Sequence, residues 1–349
     1  MSNGTISEET KKAPRKNRTR PLVATIIIFG GLTVLLLSIG LSIMYGAADI
    51  DFLVIWQSIT QFDPTSTSHQ IIRSLRVPRA LAAALIGAAL AMSGSIMQGM
   101  TRNALASPSI MGVTAGATFM MAVAFAAVPD ASNVTIMIWS FLGAGLGVFI
   151  VFGVGSLSKS GLTPVKLALA GTAVTAILSS LSSAIAIHFN IAKDISFWYA
   201  GGVSGVQWIH VQLLAPVAII GFIIALLLAN SITVLNLGDD VAKGLGQQTV
   251  LVKLTGTLVV LLLTGAAISV AGTIGFVGLV IPHITRFLVG ADYRLIIPCS
   301  AILGGLLLVV ADTTSRMVNP PFETPVGTIT ALVGVPFFLY LARREGRGI

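Results

Sequence analysis

Apolar runs recur along almost the whole chain, from Leu22 to near the C-terminus. Short polar stretches separate them. Many reach the ~20 residues that a helix needs to cross a bilayer. Their periodicity is not the two-residue alternation of an outer-membrane barrel strand. The pattern predicts ten membrane helices, over 22–44, 80–100, 107–128, 133–155, 165–189, 210–230, 250–271, 275–289, 295–317 and 325–342. The eighth is short and carries Pro282, and 194–208 is a candidate short re-entrant piece. The expected fold is an all-α polytopic membrane protein.

Composition agrees. Hydrophobic residues make up 55% of the chain and charged residues 10%, against roughly a quarter charged in soluble domains. Glycine is abundant inside the apolar runs. In water that argues against helix, but in a bilayer small residues let helices approach closely. The first run follows a basic segment, as in a signal peptide, yet it exceeds the ~7–15 apolar residues of a signal core. Gly46-Ala47-Ala48 is a poor cleavage site, so the run reads as an uncleaved helix. The single cysteine, Cys299, lies in an apolar run and reads as a small buried hydrophobe.

Charge sets the orientation. The net charge of +8 is concentrated at the chain ends, which points to membrane flanks rather than nucleic acid. The expected organisation is a basic cytoplasmic tail over 1–21, a membrane domain over 22–342 with halves at about 22–190 and 210–342, and a second cytoplasmic tail over 343–349. With both termini inside, 16 of the 21 Lys and Arg fall on the cytoplasmic side. The remaining 5 are Arg73, Arg76, Arg79, Lys193 and Arg316.

The chain also repeats itself. Gly87-Ala88-Ala89-Leu90-Ala91-Met92-Ser93-Gly94-Ser95-Ile96 matches Gly265-Ala266-Ala267-Ile268-Ser269-Val270-Ala271-Gly272-Thr273-Ile274. The copies fall in the second and seventh helices, five apart. An odd number of helices per half inverts the second half, an arrangement common in transporters.

Arg73, Arg76 and Arg79 stand three residues apart and would share a face in continuous helix, although Pro78 opposes one. Positive charge outside runs against the usual bias. One reading is contact with an acidic partner or an anionic ligand. The other is contact with lipid phosphate or a local pair with Asp63. Arg316 belongs with them, and its own alternative is an intrahelical pair with Asp312, four residues back.

The inside loop after the sixth helix reads Gly238-Asp239-Asp240-Val241-Ala242-Lys243-Gly244-Leu245-Gly246. It predicts a short helix started at Asp239 and ended at Gly246, with Val241, Ala242 and Leu245 on one face. That face either docks into a partner's groove or rests on the bundle. Thr172, Thr175, Ser179 and Ser183 form a hydroxyl stripe on the fifth helix, either lining a wet path or bonding the preceding turn. Ionisable residues are nearly absent inside the spans, which disfavours a proton-driven carrier. No Walker A pattern, zinc-ligand spacing or Ser/His/Asp arrangement occurs. ATP hydrolysis would therefore come from another polypeptide, and neither a cofactor nor a metal site is expected.

Four blocks, spread from about Arg73 to Arg343, resemble the FecCD-type permeases of iron–siderophore, haem and vitamin B12 importers. The first is Arg76-Val77-Pro78-Arg79, followed by Gly87-Ala88-Ala89-Leu90, Gly94, Gln98, Asn103-Ala104-Leu105-Ala106-Ser107-Pro108 and Gly112. The second is Gly238-Asp239, Ala242 and Leu245-Gly246. The third runs from Gly272-Thr273-Ile274-Gly275-Phe276 to Ile281-Pro282-His283-Ile284-Thr285-Arg286. The fourth is Ala311-Asp312, Arg316, Pro325-Val326-Gly327 and Gly334-Val335-Pro336. Ala104 departs from the family, which usually has Pro after Asn, and the expected consequence is a looser start of the third helix.

The resemblance implies ten helices, a homodimer or paralogous heterodimer with the path at its interface, two cytoplasmic ATPase subunits and an extracytoplasmic binding protein. It places Arg76, Arg79 and Arg316 against acidic residues of that binding protein. Arg73 joins them as a candidate without a firm family counterpart. Gly238, Asp239, Ala242, Leu245 and Gly246 fall where the family couples to its ATPase. Gln98 joins Thr172, Thr175, Ser179 and Ser183 as a candidate path residue. The expected function is a cell-membrane importer permease for ferric siderophores, itself performing no covalent chemistry. The alternatives are haem or cobalamin as cargo, a secondary transporter working alone, and a membrane scaffold or sensor.

Overall fold

A computed structural model describes residues 19–46, 50–128, 130–156, 164–200, 202–320 and 322–345. Most of the basic N-terminal tail, Lys159 and Arg347 lie outside the described residues. The described chain is helical: α1 (Pro21–Met44), α2 (Phe52–Thr60), α3 (Thr67–Ile71), α4 (Val77–Thr101), α5 (Val113–Ala127), α6 (Asn133–Ser156), α7 (Pro164–His188), α8 (Ala192–Tyr199), α9 (Trp208–Leu235), α10 (Asp239–Gly244), α11 (Thr249–Ala271), α12 (Val277–Val289), α13 (Tyr293–Met317) and α14 (Val326–Glu345). Among the described residues, seven helices are long and apolar enough to cross a bilayer, and the apolar parts of α5, α12 and α14 are shorter. These ten correspond one for one to the expected spans. The stretch singled out around 194–208 contributes α8.

The boundaries moved where local backbone chemistry intervened. The third membrane helix begins at Val113 rather than 107. Pro108–Met111 forms a 3₁₀ turn, and Gly112 at φ +75° sets the entry to α5. In the loop before it, the Asn103 side chain accepts a bond from the Leu105 N–H at 2.9 Å. At α4 a π-helical turn over Ile72–Arg76 joins α3 to the helix proper. The Val77 N–H donates to the Ile72 carbonyl, five residues back. The widened turn lets Pro78, which has no N–H, enter the first turn of α4 without interrupting the helical path.

α4 is the centre of the bundle and packs on α9, α11, α12 and α13. Its glycines explain how. A Cβ on Gly87 would strike the Gly304 carbonyl of α13, and one on Gly94 would overlap the Gly278 carbonyl of α12. Backbone against backbone at this spacing is the small-residue packing of membrane helices. α1 lies at the edge. It packs on α13 and leaves Leu22, Ile26, Phe29, Leu36 and Leu37 exposed, as a lipid-facing helix does.

The two halves pair in related ways. α4 contacts α12 and α13, and its counterpart α11 contacts α5 and α6. α1 and α9 keep it only in part: each packs on the helix that follows in its own half, α4 or α11, but α1 otherwise packs on α12 and α13 while α9 packs on α4 and α13. The repeated motif also performs different tasks. Gly94 is an interior contact point, whereas its counterpart Gly272, at φ +66°, ends α11.

Candidate functional site: two ends of the bundle

Arg76, Arg79 and Arg316 gather at one end of the bundle, where α1, α4 and α13 meet. All three are buried. The last carbonyls of α1 lack intrahelical donors, and the negative end of the helix dipole lies there. Arg76 Nη1 donates to the Ile43 and Met44 carbonyls at 2.7 and 2.8 Å. Arg316 donates to the Tyr45 carbonyl at 3.0 Å, the Ser42 carbonyl at 3.1 Å and the Ser42 hydroxyl at 2.7 Å. The two arginines thereby cap α1 and fasten it to α4 and α13.

Asp312, 0% exposed, supplies the countercharge. Arg79 meets it through Nε at 3.1 Å and Nη2 at 2.8 Å. Arg316 Nη2 lies 3.3 Å from the other carboxylate oxygen. The intrahelical pair is therefore present, as part of a larger cluster. Arg79 Nη1 also reaches Glu323 at 2.7 Å.

Arg73 departs from the face shared by Arg76 and Arg79. The extra residue in the π turn rotates it outward, and its guanidinium lies exposed over the Phe62 ring, 4.6 Å from the centroid. Its carbonyl accepts from the Trp208 indole at 2.7 Å. Asp63 does not close the local pair considered above. Its carboxylate accepts from the Thr65 N–H and hydroxyl, which hold its pKa below the ordinary value. Beside the cluster opens a cavity of about 660 Å³ whose walls include Arg79, Lys193, Asp194, Trp198, His210 and Glu323.

At the other end lies α10. Gly238, at φ +131°, precedes it and Gly246, at φ +79°, follows it. Asp239 in its first turn pairs with Lys253 of α11 at 2.6 Å. Gln247 ties the exit down by donating its N–H to the Ala242 carbonyl and its amide to the Ser231 carbonyl. The expected common face divides: Ala242 is fully buried against the bundle, while Val241 and Leu245, with Leu237, are exposed. A six-residue helix must rest one side on the protein, so its small residue faces inward and its large ones outward.

The hydroxyl stripe of α7 also divides. Thr172 is exposed and bonds the Ala168 carbonyl. Thr175 is half-buried. Ser179 and Ser183 line a second cavity, of about 460 Å³, with Thr118 and Ser182. Gln98 does not belong with them. It is 1% exposed within the bundle, donating to the Leu279 carbonyl at 3.1 Å and accepting from Arg286 at 3.2 Å. In this arrangement its side chain bridges α4 to α12 rather than lining either cavity.

The FecCD transport family model matches residues 34–344. The chain belongs to the FecCD transport family. Among relatives, it is similar to the iron(3+)-hydroxamate import system permease protein FhuB of Bacillus subtilis (strain 168), 61% identical over 331 residues, covering 95% of this chain and 86% of that protein. It is 49% identical over 321 residues to the iron-uptake system permease protein FeuB of the same organism, covering 92% and 96%. Among solved structures, a chain described as a metal-chelate type ABC transporter in an inward-facing conformation superposes with a TM-score of 0.81 at 28% identity, covering 92% of this chain and 99% of that one.

Two features escaped the sequence reading of this FecCD chain. One is Glu323, whose only signal was an acid two residues before Pro325 at the same predicted membrane side as Arg79. The other is the capping of α1, which depends on where three distant segments meet.

Proposed function

We propose that this chain is the membrane-spanning subunit of an ATP-driven, binding-protein-dependent importer whose cargo is a ferric siderophore of the hydroxamate class. The observation that carries this reading is the 61% identity, over nearly the whole chain, to a permease named for iron(3+)-hydroxamate import. Its partners are two cytoplasmic ATPase subunits, an extracytoplasmic binding protein and a second permease copy, identical or paralogous. The arginine end faces outward and α10 faces the cytoplasm, a reading supported by the distribution of Lys and Arg. Exposed Arg73, with Arg79 at the outer margin of the buried cluster, offers the positive charge that meets an acidic binding protein, while Arg76 and Arg316 hold that end of the bundle in place. The exposed Val241 of α10, with Leu237 just before the helix and Leu245 just after it, enters an ATPase groove, while Ala242 and the Asp239–Lys253 pair root the helix in the bundle.

The test is ATP hydrolysis by the reconstituted complex. Binding protein loaded with a ferric trihydroxamate should stimulate it above the rate with unloaded protein. Stimulation by haem-loaded or cobalamin-loaded protein instead would reject the cargo, and no stimulation by any of them would reject the partner assignment.

A further inference from the structure

We propose that Glu323 occupies, within this chain, the seat on Arg79 that a carboxylate of the docking partner takes, so that docking is an exchange of one acid for another. The inference rests on the docking reading above.

The geometry separates a fixed acid from an exchangeable one. Arg79 faces two carboxylates. Asp312 engages Nε and Nη2, and its side chain is 0% exposed. Removing it would leave Arg79 and Arg316 without their shared buried countercharge, so it stays. Glu323 engages only Nη1, at 2.7 Å, and its side chain is 44% exposed. A half-exposed ion pair is weak, because water competes for both partners. The planar guanidinium offers the same donor to any carboxylate that arrives in its plane.

The remaining members of the cluster are bound by other contacts. Arg76 and Arg316 are held by the end of α1, and Arg316 also by Asp312. Arg79 is therefore the cluster arginine whose exchangeable contact opens outward. Both Arg79 and Glu323 border the cavity of about 660 Å³, which gives an incoming side chain an approach.

The local backbone permits the exchange. The N–H of Thr324, the next residue, donates to the Ser315 carbonyl at 3.1 Å. Glu323 can swing its side chain away while this anchor stays in place. Its departure removes the one ion pair linking α4 to the segment that opens α14, among the described residues. Docking would thus loosen the start of α14 from the central helix.

The test measures the affinity of the cognate binding protein for the whole transporter in nanodiscs, at low and high salt. Removing an internal competitor of this strength should tighten binding roughly two- to fivefold in Glu323→Gln and Glu323→Ala, with Glu323→Asp near wild type. High salt should shrink the gain. Thermal unfolding of each variant verifies an intact fold. Unchanged or weaker binding by both neutral variants, alongside salt-sensitive binding by wild type, would overturn the exchange alone. Wild-type binding that is absent or insensitive to salt would overturn the docking reading and the exchange with it.

Discussion

Asp312 neutralises two arginines at once, at a position from which water is excluded. Asp312→Asn should leave two buried guanidinium groups short of countercharge and cost about 3–5 kcal/mol. Thermal unfolding of the purified permease should show a large drop, while Glu323→Gln at the half-exposed partner should show little. The glycines give a second contrast. Gly94→Ala places a methyl on the Gly278 carbonyl and should destabilise by about 1–3 kcal/mol. Gly30→Ala meets nothing within 4 Å and should be neutral or slightly stabilising. Equal effects of the two substitutions would contradict the proposed α4–α12 contact. These roles were only partly legible beforehand. The Asp312–Arg316 spacing announced its own pair. The attachment of Arg76 and Arg316 to α1 did not, because nothing local in 42–45 reveals what approaches it in space.

At the scale of elements, apolarity made all ten expected spans legible, the seven long helices and the three shorter ones. The first two turns after α1 were not. α2 is apolar but only nine residues long, and α3 is five residues and mostly polar, so neither stands out as a span. The start of α5 was misplaced because apolar composition runs through Pro108–Met111 while the backbone does not continue as α-helix until after Gly112. α10 was legible from Gly238 and Gly246, but not the direction of its faces, which depends on where the bundle lies. Its exposed side supports a prediction. Gly246 has a positive φ and open space around its Cβ position. Gly246→Trp should therefore strain the turn and project a bulky ring from the α10 surface, without disturbing the arginine end. ATP-coupled uptake should be lost while binding-protein affinity is unchanged. Normal uptake by this variant would remove α10 from the coupling route.

The whole molecule combines a rigid centre with two differently built ends. Small residues along α4 set the centre, an arginine–carboxylate cluster sets one end, and a rooted surface helix sets the other. The pairing of α4 with α12 and α13 resembles that of α11 with α5 and α6. The edge helices α1 and α9 keep this likeness only in part, and the motif itself departs from it at Gly94 and Gly272. Sequence similarity between the copies could not reveal that departure, because one glycine serves close packing and the other a left-handed helix end. The central claim is that this chain carries cargo across the membrane only when coupled to ATPase and binding protein. It is tested most directly in proteoliposomes containing the full complex, by following accumulation of a radiolabelled ferric trihydroxamate. Accumulation should require ATP and the loaded binding protein and should persist when the proton gradient is collapsed. Accumulation by the permease alone, or its loss on collapsing the gradient with ATP still present, would contradict the account.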